Sequence, residues 1–106
     1  MEEVVNKVIL RGSIGGVREL NTQLCKTKRF ALSTQEVYKN IRGEVVAETQ
    51  WHNVAAFDKE LEEGFEYIRT GIMIELEGRL RYVRYINTDG IERTITEIRA
   101  TKVKVL

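Results

Sequence analysis

At 106 residues the chain suffices for one modest hydrophobic core, so a single domain over residues 1–106 is expected. Apolar residues make up 42% and charged residues 31%, which excludes a disordered segment, and the longest apolar runs are too short for a membrane-spanning helix. The net charge of +1 conceals an asymmetry: Asp58 to Glu77 carries seven acids against Lys59 and Arg69, which leaves the remainder basic. A basic remainder suits a polyanion, but solvated faces cluster charge in the same way, so charge alone does not choose a partner.

Met1-Glu-Glu-Val-Val5 has neither a basic n-region nor an apolar h-region, so no signal peptide is expected. Val4 to Arg11 is rich in β-branched residues and reads as a first strand, with Gly12, Gly15 and Gly16 punctuating the loop after it. Cys25 stands alone; it cannot close an internal disulfide, which fits a reducing, cytoplasmic setting. Arg29 to Tyr38 alternates as a second strand, with Phe30, Leu32 and Thr34 on one side. Lys39 to Gly43 reads as a turn into a third strand, Val45 to Phe57.

The period then changes. In Asp58 to Thr70, Leu61, Phe65 and Ile68 fall at i, i+4 and i+7, the stripe of a short helix. Asp58 is placed as its N-cap and Gly71 at its C′ position. In the fourth strand Ile72, Ile74, Leu76, Gly78, Leu80 and Tyr82 share one face. Asn87-Thr-Asp-Gly90 is a hairpin signal, because Asp-Gly readily supplies positive φ. The fifth strand, Ile91 to Leu106, changes inward parity between Ile95 and Ile98, which predicts a bulge or bend there. The order β-β-β-α-β-β describes an all-β, five-stranded OB-fold Greek-key barrel with one short helix between strands three and four. A two-layer α+β sandwich is the alternative.

Thr49-Gln-Trp-His-Asn-Val-Ala-Ala-Phe57 contains the only tryptophan and the only histidine. On a strand, Trp51, Asn53, Ala55 and Phe57 point one way and His52, Val54 and Ala56 the other. Trp51 and Phe57 then sit roughly 20 Å apart on one face, and parity alone leaves a core stripe and a stacking platform equally open. Tyr38 at the end of strand two, and the run Arg79-Leu-Arg-Tyr-Val-Arg-Tyr85, shift the balance. Aromatic rings receive unpaired bases at about 1–3 kcal/mol each, while arginines receive phosphates. The competing reading of that run is an edge strand protected by charge.

Val5-Asn-Lys-Val-Ile-Leu-Arg-Gly12, the Trp51 segment and Glu77-Gly-Arg-Leu-Arg81 resemble the successive signatures of bacterial single-stranded DNA-binding proteins. Glu66-Tyr-Ile-Arg-Thr-Gly71 and the Asp89-Gly90 hairpin followed by Thr96-Glu-Ile98 extend the resemblance over nearly the whole chain. It implies an OB fold that coats single-stranded DNA in replication, recombination and repair. It also implies a homo-oligomer, a tetramer with a dimer as the alternative, in the cytoplasm at the nucleoid. By position it places stacking rings at Tyr38, Trp51, Phe57 and Tyr85, and phosphate contacts at Lys7, Lys59, Arg81 and Arg84. It puts His52 near a subunit interface. Members often carry tryptophan where this chain has Tyr38 and Tyr85, and many carry Asp-Pro-Glu where it reads Gly15-Gly-Val-Arg-Glu19. Members also commonly continue into a flexible linker and an acidic tip; the sequence reads to Lys104-Val-Leu106, so recruitment of replication and repair proteins is expected only where such a tail exists.

No membrane partner, cofactor, metal or catalytic residue is expected, since no second histidine, cysteine pair or clustered carboxylates complete a site around His52. Two other functions fit the barrel: a primosomal OB protein that assists helicase loading, and an OB protein-interaction module.

Overall fold

A computed structural model describes residues 3–106. Five long strands carry the fold: β1 Val8–Asn21, β2 Lys26–Lys39, β3 Val45–Phe57, β4 Met73–Ile86 and β5 Glu92–Val105. They close into a barrel in the order β1-β2-β3-β5-β4, the five-stranded closed arrangement of the OB fold. Antiparallel ladders join β1 to β2, β2 to β3, β4 to β5 and β1 to β4. The seam between β3 and β5 is parallel and holds two pairs only, Val54 with Ile98 and Ala55 with Arg99.

Alternation puts Ile14, Phe30, Leu32, Val54, Ala56, Ile74, Leu76, Ile98, Ala100 and Val103 in the core. Both the β2–β3 and the β4–β5 hairpins run on past this core. Tyr82 has the parity of the core residues on β4, but it lies beyond the barrel and is exposed.

The turns at the two hairpin tips are built alike. In Asn40-Ile-Arg-Gly43 the Asn40 carboxamide oxygen accepts the N–H groups of Arg42 and Glu44, and in Asn87-Thr-Asp-Gly90 that of Asn87 accepts those of Asp89 and Ile91. Each turn closes with its glycine at positive φ.

Three expectations are corrected. β1 does not stop at Arg11; it runs through the glycines to Asn21. Its register slips between Gly15 and Arg18, so the glycines mark a bulge inside a strand rather than a loop. A Cβ on Gly12 would stand 2.0 Å from the Ser33 carbonyl oxygen, so only glycine permits this approach. The bulge in β5 falls at Thr101, which is skipped between the Glu77–Lys102 and Gly78–Ala100 pairs, and not between Ile95 and Ile98. Ile95 simply faces outward.

The segment from Asp58 to Thr70 is not a regular helix. Its only helical element is a single 3-10 turn, Phe65–Tyr67. Leu61 and Ile68 are buried as the stripe required, but the backbone between them pairs with β5: Glu62 N–H bonds to Thr101 O and Val103 N–H to Glu63 O. Gly64, at φ 97°, turns the chain after this pairing. Asp58 caps no helix; its carboxylate accepts the Lys26 N–H and the Cys25 thiol. Those two hydrogen bonds, the thiol's first, hold its pKa below the usual value.

Lys28 plugs the barrel beneath this segment. Its ammonium donates to the carbonyls of Phe65 and Ile68 at 2.9 and 3.3 Å and sits 4.6 Å from the centre of the Phe65 ring. Lys28→Met should cost about 2 kcal/mol, because the Ile68 carbonyl then loses its buried donor. A urea midpoint that falls with an unchanged slope would register this; an unchanged midpoint would make the plug energetically idle.

Candidate nucleic-acid interface

Trp51 projects from the outer face of β3 and is 64% exposed. It stands opposite Ser33 on β2, and its indole leans over Gly15 on β1, where a Cβ would come within 3.1 Å of the ring. The missing side chain at Gly15 leaves room for the edge of the six-membered ring, and the indole stays open to solvent. A glycine bulge and an open tryptophan thus occupy one spot.

Cross-strand register builds a second feature. Arg18 opposes Arg29, Arg29 opposes Ala55, Ala55 opposes Arg99, and Arg99 opposes Arg79. Directly opposed residues share a face, so four arginines form one transverse row across all five strands, about 19 Å long at the usual strand spacing. The row passes between Trp51 and Phe57, since Ala55 lies between them on β3.

Like charges set opposite one another are destabilising, and two carboxylates offset part of that here. Glu97, only 3% exposed, accepts a hydrogen bond from Arg29 Nη1. Glu60 takes Arg99 in a two-point bond of 2.8 and 3.0 Å. Arg18 and Arg79 are exposed, with no carboxylate at salt-bridge distance among the described residues. They are the row's open ends.

Around this row, Phe57 is half-buried. The Arg99 guanidinium lies 3.8 Å from its ring centre and that of Arg29 6.0 Å, so one ring face already carries a cation. Tyr85 and Arg81 share the outer face of β4 through their partners Arg93 and Glu97. Tyr38 pairs with Val46 and Arg84 with Thr94, which puts both on the opposite faces of their hairpins from Trp51 and Tyr85. Arg84 lies 3.8 Å from Glu92. Lys59 is exposed just beyond β3.

Lys7 is tied to Glu77 at 2.7 Å. The hydrogen bond and the charge of Glu77 raise the lysine's pKa, and the same hydrogen bond lowers that of Glu77. His52 faces the core side of β3 at the barrel's rim, beside Leu32, with Nε2 2.9 Å from the Thr34 hydroxyl. Where β3 and β5 diverge above their seam, a groove of about 500 Å³ opens, lined among others by Arg18, Arg29, Trp51, Asn53, Ile95 and Glu97.

The model of the Single-strand binding protein family matches residues 5–106. The chain belongs to that family. It is 35% identical to a single-stranded DNA-binding protein of Neisseria meningitidis over 96% of its own length and 60% of that protein's. The corresponding Xylella fastidiosa protein is 37% identical over 100% of this chain and 66% of the relative. The chain thus spans about 60% of the length of the first relatives it matches. Among solved structures, a Plasmodium falciparum SSB complex with ssDNA superposes with a TM-score of 0.78 at 25% identity, covering 100% of this chain and 98% of that one. A Thermus aquaticus single-stranded DNA-binding protein shares the fold with a TM-score of 0.77 at 22% identity, over 96% of this chain and 50% of its own.

Against this single-strand binding family background, the arginine row is what sequence reasoning passed over. Arg18, Arg29, Arg79 and Arg99 are scattered along four strands, and only their register aligns them. The outward parity of Arg29 beside inward Phe30, and of Arg79 beside Leu80, was the one available signal.

Proposed function

We infer that the chain binds single-stranded DNA without reading its sequence and serves as a coat in replication, recombination and repair. The observation that carries this is the open Trp51 indole on Gly15 beside a transverse row of arginines. Bases lie on the rings of Trp51 and Tyr85 and against the free side of Phe57, while phosphates cross the strands along Arg18 and Arg79, with Arg81 and Lys59 flanking. Tyr38 and Arg84 join from the far faces of their hairpins only where the strand wraps around the tips. Lys7 contributes once phosphate displaces Glu77. Residues 1–106 act as one DNA-binding domain with no catalytic step, in the cytoplasm at the nucleoid.

Self-association into a tetramer fits the outer face of β1 and β4, where Ile9 and Met73 are at least half exposed beside the Lys7–Glu77 and Arg11–Glu75 pairs. His52, on the barrel's rim, belongs to a subunit contact in this reading. Replication and repair proteins are partners wherever an acidic tail follows the barrel.

The test is a titration with oligo(dT). Trp51 is the sole tryptophan, so stacking should quench its emission, and the mass of the complex gives its stoichiometry. Unchanged emission with saturating oligomer would overturn the reading. Arg79→Ala should flatten the log–log salt dependence by about 0.7, the share of one phosphate on a single strand. Retention of the full slope would remove Arg79 from the phosphate path.

A further inference from the structure

The groove beside Trp51 has a polar side that stacking does not use. Asn53 lies two residues along the same face of β3, at the fork where β3 and β5 part. It is exposed, and its carboxamide has no hydrogen-bond partner among the described residues. Next to it, Glu97 is buried and its carboxylate holds the Arg29 guanidinium at the groove wall. The volume of about 500 Å³ falls within the range of small-ligand sites, about 300–1,000 Å³.

We propose that this groove is a seat for one nucleobase, with Trp51 under its face and the Asn53 carboxamide, flanked by the Glu97-held Arg29, along its hydrogen-bonding edge. The inference rests on the single-stranded DNA reading above and extends it from the ring faces to the base edges.

The chemistry suits a protein that does not select sequence. A carboxamide offers a donor and an acceptor side by side and can turn either way. Thymine and guanine present an N–H beside a carbonyl, and adenine and cytosine an amino group beside a ring nitrogen. Asn53 matches either pattern with two hydrogen bonds. Arg29 supplies donors only and finds an acceptor on every base. The edge of an unpaired base therefore finds partners whichever base arrives, which offsets much of the cost of leaving water. Glu97 keeps Arg29 aimed at the groove and is a positioning residue.

N3-methylthymidine keeps the ring face of thymidine and blocks its edge, so it separates stacking from edge contact. Wild-type protein should bind short oligo(dT) about tenfold more tightly than the N3-methyl oligomer, the scale of a two-point base contact. Asn53→Leu should bind oligo(dT) about tenfold more weakly, lose the discrimination, and keep its salt slope. Asn53→Ser is the second variant should leucine impair folding. Equal affinity of the wild type for the two oligomers, or full discrimination by both variants, would overturn the seat while leaving DNA binding intact. No quenching of Trp51 by either oligomer would overturn the DNA-binding reading and the seat with it.

Discussion

Trp51→Ala is expected to weaken oligo(dT) binding by about one to two orders of magnitude and to leave the salt slope where it was. A stacked base is worth about 1–3 kcal/mol, and every 1.4 kcal/mol is a factor of ten. The indole carries no charge, so its loss releases no counterion. Its exposure of 64% means little core is lost with it, and the melting temperature should hold. Because the substitution removes the only tryptophan, affinity is read by anisotropy of a labelled oligomer at several salt concentrations. Trp51→Phe should recover part of the loss through a smaller ring. A flattened slope in Trp51→Ala would mean that the ring organises phosphate contacts instead of receiving a base.

Gly64→Ala should be among the most damaging single substitutions, costing about 3 kcal/mol or more out of a total stability of about 5–15. The residue sits at φ 97°, and a Cβ there would lie 2.0 Å from the Val103 carbonyl oxygen and 2.8 Å from its carbon. Nothing flexible can move aside, because that carbonyl belongs to β5 in the barrel wall. The shift would also pull on the bond from Val103 N–H to Glu63 O. Gly43→Ala is the control. It has φ 79° and open space around it, so only the left-handed backbone cost of about 1–2 kcal/mol applies. Equal denaturation midpoints for the two variants would show that the contact with β5 is not what demands glycine.

The contrast between those glycines explains what could be read in advance and what could not. Gly43 and Gly90 follow turn-forming residues and end strands whose alternation is plain, so the hairpins were foreseeable, and β3 spans Val45–Phe57 as expected. Gly12, Gly15 and Gly16 carry the same local signal, yet they lie inside β1. Their purpose is set by residues far along the chain: the Ser33 carbonyl that approaches Gly12 and the indole that covers Gly15. The spacing of Leu61, Phe65 and Ile68 misled for a related reason. Burial of Leu61 and Ile68 satisfies the pattern equally well when the backbone between them spends its hydrogen bonds on β5. The candidate site divides in the same way. Trp51 and Phe57 were legible as rings of one parity on β3, and Tyr85 as a ring among the arginines of Arg79–Tyr85. The arginine row was not, because Arg18 becomes a neighbour of Arg29, and Arg99 of Ala55, only through register.

The parallel seam leaves the barrel with one weak stitch. Two hairpins tied by extensive antiparallel ladders meet there over only two residue pairs, so thermal breathing should part them like tongs before either ladder unzips. That hinge lies directly under the groove, and its play sets how wide the jaws open. In the proposed seat a purine and a pyrimidine would then fit in turn without rebuilding any strand, and amide exchange at Ala55 and Arg99 would time the movement.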